Sequence, residues 1–334
     1  MTSSIVHTLP DELRGRVRRR ERPRWVKPML ATLTDERFSD PDWIFERKLD
    51  GERCLAVRSG EAVKLFSRHR KSLNHSYPEI AEALAAQDPD TFLVDGEIVA
   101  FEEGKTSFAR LQGRMQLRDP DQARATGIAV FYYVFDLLRV EGHDLERLPL
   151  RARKALLRRA LAFRDPIRLC THRNADGERY YREACGKGWE GLIAKDATAP
   201  YVHSRSRTWL KFKCVNEQEL VIGGYTDPKG SRTGFGAILG GFYRDGDLRY
   251  AGKVGTGFDH QTLRNLRERF EQLSRRTPPF SEDPREKDAH WVSPELVATV
   301  GFTEWTEDDK LRHPRFRGLR RDKDPRDVWK EVPS

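Results

Sequence analysis

The stretch Glu46-Arg47-Lys48-Leu49-Asp50-Gly51-Glu52-Arg53 gathers residue types that can transfer a phosphoryl group. Read as a strand, it puts Glu46 and Lys48 on one face and Phe45 and Leu49 on the other, because side chains alternate with period two. The Asp50-Gly51 turn then returns Arg53 beside Lys48. A lysine attacks only when neutral, and at its reference pKa of ~10.4 only about 0.04% is neutral at pH 7. Arg53, further lysines and a divalent metal would all depress that pKa. Asp95-Gly96-Glu97 puts two carboxylates on one strand face, and Trp189–Lys195 supplies the acid Glu190 and the base Lys195. From Trp209 to Cys214 the pattern alternates, with Lys211 and Lys213 on one face and Leu210, Phe212 and Cys214 on the other. Two lysines on one face repel unless a polyanion lies between them, and a nucleoside triphosphate is such a polyanion. Carboxylates beside phosphates call for a hard cation such as Mg²⁺, which takes one or two carboxylates plus phosphate oxygens.

In chain order these segments resemble the motifs of the covalent nucleotidyltransferases, and most closely the ATP-dependent DNA ligases. The resemblance rests on K-x-D-G-x-R at Lys48–Arg53, Ser67-Arg68, Asp95–Glu97, Tyr133-Val134-Phe135-Asp136, E-G-L-I-A-K at Glu190–Lys195 and K-F-K at Lys211–Lys213. A last motif, Arg320, Asp322 and Lys323, sits in "LRHPRFRGLRRDKDP". The compact bacterial end-joining ligases are the nearest subgroup, through "GGYTDPKGSRTGFGAILGGFY" and "AGKVGTGF". His69 stands where this family leads one to expect Asn, and Arg321 where an acid is frequent.

The resemblance implies roles. Lys48 attacks the α-phosphate of ATP and carries AMP as a phosphoamide. Glu46 marks the adenine-reading strand and Phe135 stacks on the base. Arg53, Arg68 and Glu97 hold ribose and phosphate, with Lys195 and Arg207 as further nucleotide contacts. Lys211 and Lys213 neutralise charge on the α-phosphate. Glu97 and Glu190 bind Mg²⁺, for which Mn²⁺ can substitute. Arg320, Asp322 and Lys323 suit the departing pyrophosphate.

Positioning these residues requires an α+β chain. Strands are expected at Asp42–Leu49, Cys54–Arg58, Ala62–Ser67 and Phe92–Phe101. The continuous apolar run Ala129–Leu138 reads as a strand buried on both faces. Gly191–Lys195 and Trp209–Cys214 complete the set. Helices are expected from Pro78 to Gln87, where proline opens the first turn, at Phe108–Leu117, and at Leu150–Phe163 as a basic amphipathic helix. After Glu217 come short glycine-punctuated strands at Leu220–Tyr225, Ala237–Tyr243, Leu248–Val254 and Leu296–Trp305. One helix, His260 to about Arg275, interrupts them with Leu263, Leu266, Phe270 and Leu273 on a stripe. Short strands around one helix suggest an OB-fold β-barrel. The expected organisation is a basic arm over 1–27, an adenylation domain over 28–216 and an OB-fold domain over 217–334. The adenylation domain takes the nucleotidyltransferase fold, with ATP-grasp-like antiparallel sheets and helices.

The 334 residues suit two domains, and the net charge of +9 points to an anionic partner, nucleic acid first. Residues 1–27 hold eight basic and three acidic side chains, enough either for a solvated tail or for an arm along phosphates. Cys54, Cys170, Cys185 and Cys214 form no C-x-x-C pair, so four reduced, buried thiols are expected. The longest apolar run, Ala129 to Phe135, falls short of the ~20 residues that span a bilayer. A monomeric cytoplasmic protein without a membrane partner is the expectation. Its substrate would be nicked double-stranded DNA, with end-joining proteins such as Ku as partners. RNA ligases and capping enzymes share the lysine chemistry, and a non-catalytic nucleic-acid-binding shell is the alternative from another class. The carboxylates Glu97 and Glu190 argue against the shell, since binding alone needs basic residues but no acidic pair. No four-cysteine element supports the NAD-dependent class.

Overall fold

The computed structural model describes residues 4–20, 23–115, 117–214, 216–228, 230 and 233–331. Two compact units divide it, the first ending at Cys214 and the second built from the residues that follow.

The first unit begins with a 3-10 turn, Ile5–Thr8, and a short helix α1, Asp11–Arg14. Strands β1 Arg18–Arg19, β2 Leu30–Leu33, β3 Trp43–Arg47, β4 Glu52–Ser59 and β5 Ala62–Ser67 come next. Helix α2, Pro78–Ala85, precedes β6 Thr91–Glu102 and β7 Lys105–Thr106. The short helices α3 Phe108–Leu111 and α4 Pro120–Ala125 lead to β8 Val130–Val140 and β9 His143–Asp144. Helix α5, Leu150–Ala160, is followed by β10 Ile167–Leu169, β11 His172–Asn174 and α6 Gly177–Gly186. Strands β12 Gly191–Asp196 and β13 Arg205–Lys213 close the unit.

These strands form two sheets. One runs β1-β9-β8-β6-β4-β5, with β10 on β8 and β7 on β6; the other runs β11-β3-β12-β13-β2. Pairing is antiparallel except for β10 with β8 and β13 with β2. Alternation along β4, β6 and β8 sends Cys54, Val94, Ile98 and Val134 into a core beneath α2 and α5. Leu55, Leu93 and Phe135 pack the opposite way, with Met29, Tyr201 and Trp209. The far face of the five-stranded sheet buries Phe45, Leu192, Ala194 and Phe212 against Tyr180 and Ala184 of α6.

The chain crosses from one sheet to the other between β3 and β4, so Lys48 lies on that link. Gly51 is required there, since a Cβ would stand 2.2 Å from the Ile98 carbonyl oxygen.

The second unit holds β14 Asn216–Thr226, β15 Ile238–Arg244, β16 Asp247–Val254, α7 His260–Gln272, β17 Ser274–Arg275, β18 Ala289–Phe302 and β19 Arg315–Arg320. Its sheet runs β16-β15-β14-β18-β17, with β19 on β18. An isolated bridge between Thr256 and Arg315 joins the end beyond β16 to β19 and closes the barrel. Leu263, Leu266 and Phe270 of α7 bury into its core, as their stripe predicts.

Several expectations need correction. The helix at Phe108–Leu117 is four residues long, ending at Leu111, and α4 and α6 were not foreseen. Ser274 and Arg275 leave the helix to pair with Val292 and Trp291. The N-terminal stretch is no solvated tail over residues 4–20. Val6 and Leu9 are buried in the first unit's core, Ser4 Oγ donates to Glu141, and Arg18 and Arg19 pair with β9. Cys185 and Cys214 form a disulfide, correcting the expectation of four thiols; Cys54 and Cys170 are free and buried. A 29-residue separation carries no pairing signature, and the packing of α6 onto the second sheet brings these cysteines together.

Candidate active site

Lys48 follows the last residue of β3, so its position is set by the link between sheets rather than by strand alternation. Its N–H donates to the Gly191 carbonyl at 2.9 Å, and its ammonium pairs with Glu190 Oε1. Gly191 cannot be replaced at that contact, because a Cβ would lie 1.9 Å from the Phe212 carbonyl oxygen. The Cys214 N–H holds the Glu190 carbonyl at 3.0 Å, fixing that carboxylate's backbone to the end of β13. The outer oxygen of Glu190, Oε2, is buried and has no partner. Such an oxygen fits a cation.

Among the described residues no group of three His, Cys, Asp or Glu could hold a metal unaided. An ion held here by Glu190 would have to complete its shell with phosphate and water, as Mg²⁺ can.

Glu46, on β3, is buried, and two ammonium groups share its carboxylate. Lys154 of α5 reaches Oε1 at 2.5 Å and Lys195 of β12 reaches Oε2 at 2.6 Å. Burial works to raise the Glu46 pKa, but the two lysines outweigh it and hold the carboxyl below its ordinary value. Burial lowers the pKa of Lys195 despite the Glu46 charge. It also lowers that of neighbouring His172 to about 4, with Lys154 adding to the effect. The Lys195 ammonium lies 4.0 Å from the ring centres of both Phe135 and Trp209. Glu46, Lys195 and Phe135 thus lie together.

Arg53 forks onto Asp95 at 2.5 and 2.6 Å and lies 4.7 Å from the Phe135 ring centre. Burial opposes the guanidinium charge, but Asp95 more than restores it and raises the pKa. Tyr201 donates to Asp95 at 2.7 Å and accepts the Met29 N–H at 2.9 Å, while Arg53 donates to the Met29 carbonyl at 3.1 Å. Asp95 is therefore committed to Arg53 and Tyr201. Glu97 is half-buried and sits opposite Arg53 in the β4–β6 register.

The remaining candidates are more dispersed. Lys211 and Lys213 face Ile193 and Gly191 in the β12–β13 register, both half-buried. Arg207 is exposed where that strand's pairing with β2 slips. Arg68 follows β5 and donates to His69 at 2.9 Å. Arg320, Asp322 and Lys323 belong to the second unit. Arg320 forks onto Asp322 at 2.9 and 2.8 Å, and Lys323 pairs with Glu219 of β14.

Sequence reasoning missed Lys154, Tyr201 and Trp209 as parts of the site. Lys154 was detectable: with Leu150 and Leu157 it occupies i, i+4 and i+7 of α5, the stripe of a core face. A lysine there needs an anion.

The ATP dependent DNA ligase domain family matches residues 28–213, and the ATP dependent DNA ligase C terminal region matches 231–323. The multifunctional non-homologous end joining protein LigD of Pseudomonas aeruginosa is 36% identical over 321 residues, covering 93% of this chain and 37% of that protein. For the LigD repair protein of Mycobacterium tuberculosis the identity is 36% over 314 residues, covering 92% of this chain and 40% of the relative. The chain thus spans about two fifths of the length of these relatives. A solved structure of mycobacterial DNA ligase D complexed with ATP and MES aligns with a TM-score of 0.66 at 33% identity, covering 92% of this chain and 98% of that one. By these matches, and by the lysine, carboxylate and aromatic groups gathered between its two sheets, the chain belongs to the ATP-dependent DNA ligase family.

Proposed function

We propose that the chain seals nicks in double-stranded DNA between a 5′-phosphate and a 3′-hydroxyl, through an adenylated lysine and then adenylated DNA. The observation that carries this reading is the Lys48–Glu190 pair on the link between the sheets, beside an aromatic and basic floor. Lys48 Nζ, after losing one proton to solvent, attacks the α-phosphorus of ATP; the N–P bond forms as the bond to pyrophosphate breaks, and the nitrogen gives a second proton to solvent to leave a phosphoamide. The 5′-phosphate of DNA then takes AMP from Lys48, which regains a proton. Attack by the 3′-hydroxyl releases AMP and closes the strand.

Phe135 carries the adenine face and Glu46 accepts from its exocyclic amino group. Arg53, Arg68, Glu97, Lys195 and Arg207 hold ribose and phosphate. Lys211 and Lys213 meet charge growing on the α-phosphate, where fixed positive charge contributes most to phosphoryl transfer. Glu190, with Glu97, would hold Mg²⁺, or Mn²⁺ in its place. Bound there, it would supply positive charge to the phosphate, and Lys48 would give up its pairing with Glu190. Arg320, Asp322 and Lys323 serve the step with ATP by receiving pyrophosphate.

The chain acts as a cytoplasmic monomer in end joining, on breaks presented by proteins such as Ku; the end joining in the names of its LigD relatives supports that setting. Incubation with α-labelled ATP and Mg²⁺ should leave label on the protein in a denaturing gel, and nicked DNA should discharge it. A panel of DNA, RNA and hybrid nicks tests the substrate. Absence of labelling, or sealing of RNA alone, would refute the reading.

A further inference from the structure

Lys154 is 1% exposed, yet all three of its ammonium donors are placed. One goes to Glu46 Oε1 at 2.5 Å, one to the Phe135 carbonyl at 3.3 Å and one to the Cys170 carbonyl at 3.2 Å. A single side chain on α5 thus ties the carboxylate of β3 to the backbone that carries the Phe135 ring. Burying an ammonium in such a place is costly unless a full set of partners meets it.

We propose that Lys154 is a positioning residue for nucleobase selectivity, acting through Glu46 and the Phe135 backbone; the proposal rests on the ligase reading above. The Glu46 carboxylate accepts both ammonium groups and meets the Cys170 thiol, and still has a lone pair for the base. An exocyclic amino group, as in adenine, can donate to that lone pair. A 6-oxo group, as in hypoxanthine, cannot, and faces a fixed negative charge. Lys154 keeps this discrimination in two ways. It locks the carboxylate's orientation, and it helps keep the group ionised against burial, which alone favours the neutral acid. Without it, Lys195 alone holds the carboxylate, whose orientation and charge are then less firmly fixed, so the preference for an amino group over a 6-oxo group falls.

The test compares ATP and ITP as adenylyl and inosinyl donors to the full chain, following labelled protein under single-turnover conditions. Lys154→Met should lower the ATP-over-ITP ratio of kcat/KM about ten- to hundredfold, the range expected for one charge-assisted contact. The change should lie mainly in KM rather than in kcat. In a Glu46→Gln background the same substitution should leave the ratio unaltered, since the carboxylate through which it works is gone. Lys154→Gln, which keeps a donor for a carbonyl without the charge, gives a second reading should the methionine variant not fold. An unchanged ratio, an equal loss in the Glu46→Gln background, or failure of both variants to fold would overturn the proposal. Failure of the unaltered chain to label with ATP would instead refute the ligase reading.

Discussion

The ion pairs of the first unit and those of the second are balanced differently. Around Glu46 two buried ammonium groups share one carboxylate. In the second unit Arg320 and Lys323 meet Asp322 and Glu219, two cations for two anions. The partners also differ in origin. Lys48 and Glu190 are 142 residues apart, Lys154 and Glu46 108 and Lys323 and Glu219 104, whereas Arg320 and Asp322 are separated by two. The first cluster is assembled by sheet register and holds surplus positive charge that a triphosphate can satisfy. The second is a charge-balanced motif whose cations can serve an outside anion only by exchanging partners.

The strongest way to break this contrast is to remove the nucleophile. Lys48→Ala should reduce labelling by ATP to background while nicked-DNA binding persists, as read by gel shift. Lys48→Arg should be equally inactive, because a guanidinium with a pKa above ~12 supplies no neutral nitrogen. Full labelling of either variant would remove Lys48 from the reaction. Glu190→Gln should slow self-adenylation about a hundredfold and raise the Mg²⁺ concentration needed for half-maximal rate. An unchanged metal requirement would sever Glu190 from the ion.

The balanced motif should respond in a step-specific manner. Arg320→Ala and Asp322→Ala are expected to cripple reaction with ATP and spare sealing of DNA that already carries a 5′-adenylate. Equal loss of both steps in single-turnover assays would make the motif a grip on DNA. Smaller effects probe the packing beneath the first cluster. Leu9→Ala should cost about 2–4 kcal/mol of stability, measured by urea unfolding, because Leu9 is buried in the core. A solvated tail would show no loss.

The smallest expected effect concerns pH. His203 Nε2 faces Glu146 and Nδ1 faces the Lys27 carbonyl, both at 2.9 Å, so the ring is best satisfied with both nitrogens protonated. The Glu146 hydrogen bond raises its pKa despite partial burial. Its stabilisation is complete below the ordinary histidine value of ~6.5 and is lost as pH rises through the folded value. Glu146→Gln should flatten that slight decline in Tm; an unchanged profile would discount the pair.

Much of the first unit was legible because its chemistry is written in short strings. Lys48 before Asp50-Gly51, Glu190 before Gly191, and the alternation of Lys211 with Phe212 each identify an element and a face. Contacts set by register were not legible. Asp95 and Glu97 look alike in sequence, but the fold commits Asp95 to Arg53 and Tyr201, the latter 106 residues away. Helix α6 escaped notice, and with it the reason Cys185 meets Cys214. In the N-terminal stretch two buried residues, Val6 and Leu9, are too few to show a period among so many arginines. The charge pattern spoke for solvent, and packing overrode it.

The link at Lys48 has a consequence for amide exchange. Although it lies outside the strands, the Lys48 N–H is held by Gly191, itself pinned where no side chain fits. Its deuterium uptake should follow that of the neighbouring strands rather than of surface loops. The backbone is then settled before any nucleotide arrives, and only the rotatable bonds of one side chain remain to be ordered when the attack geometry forms.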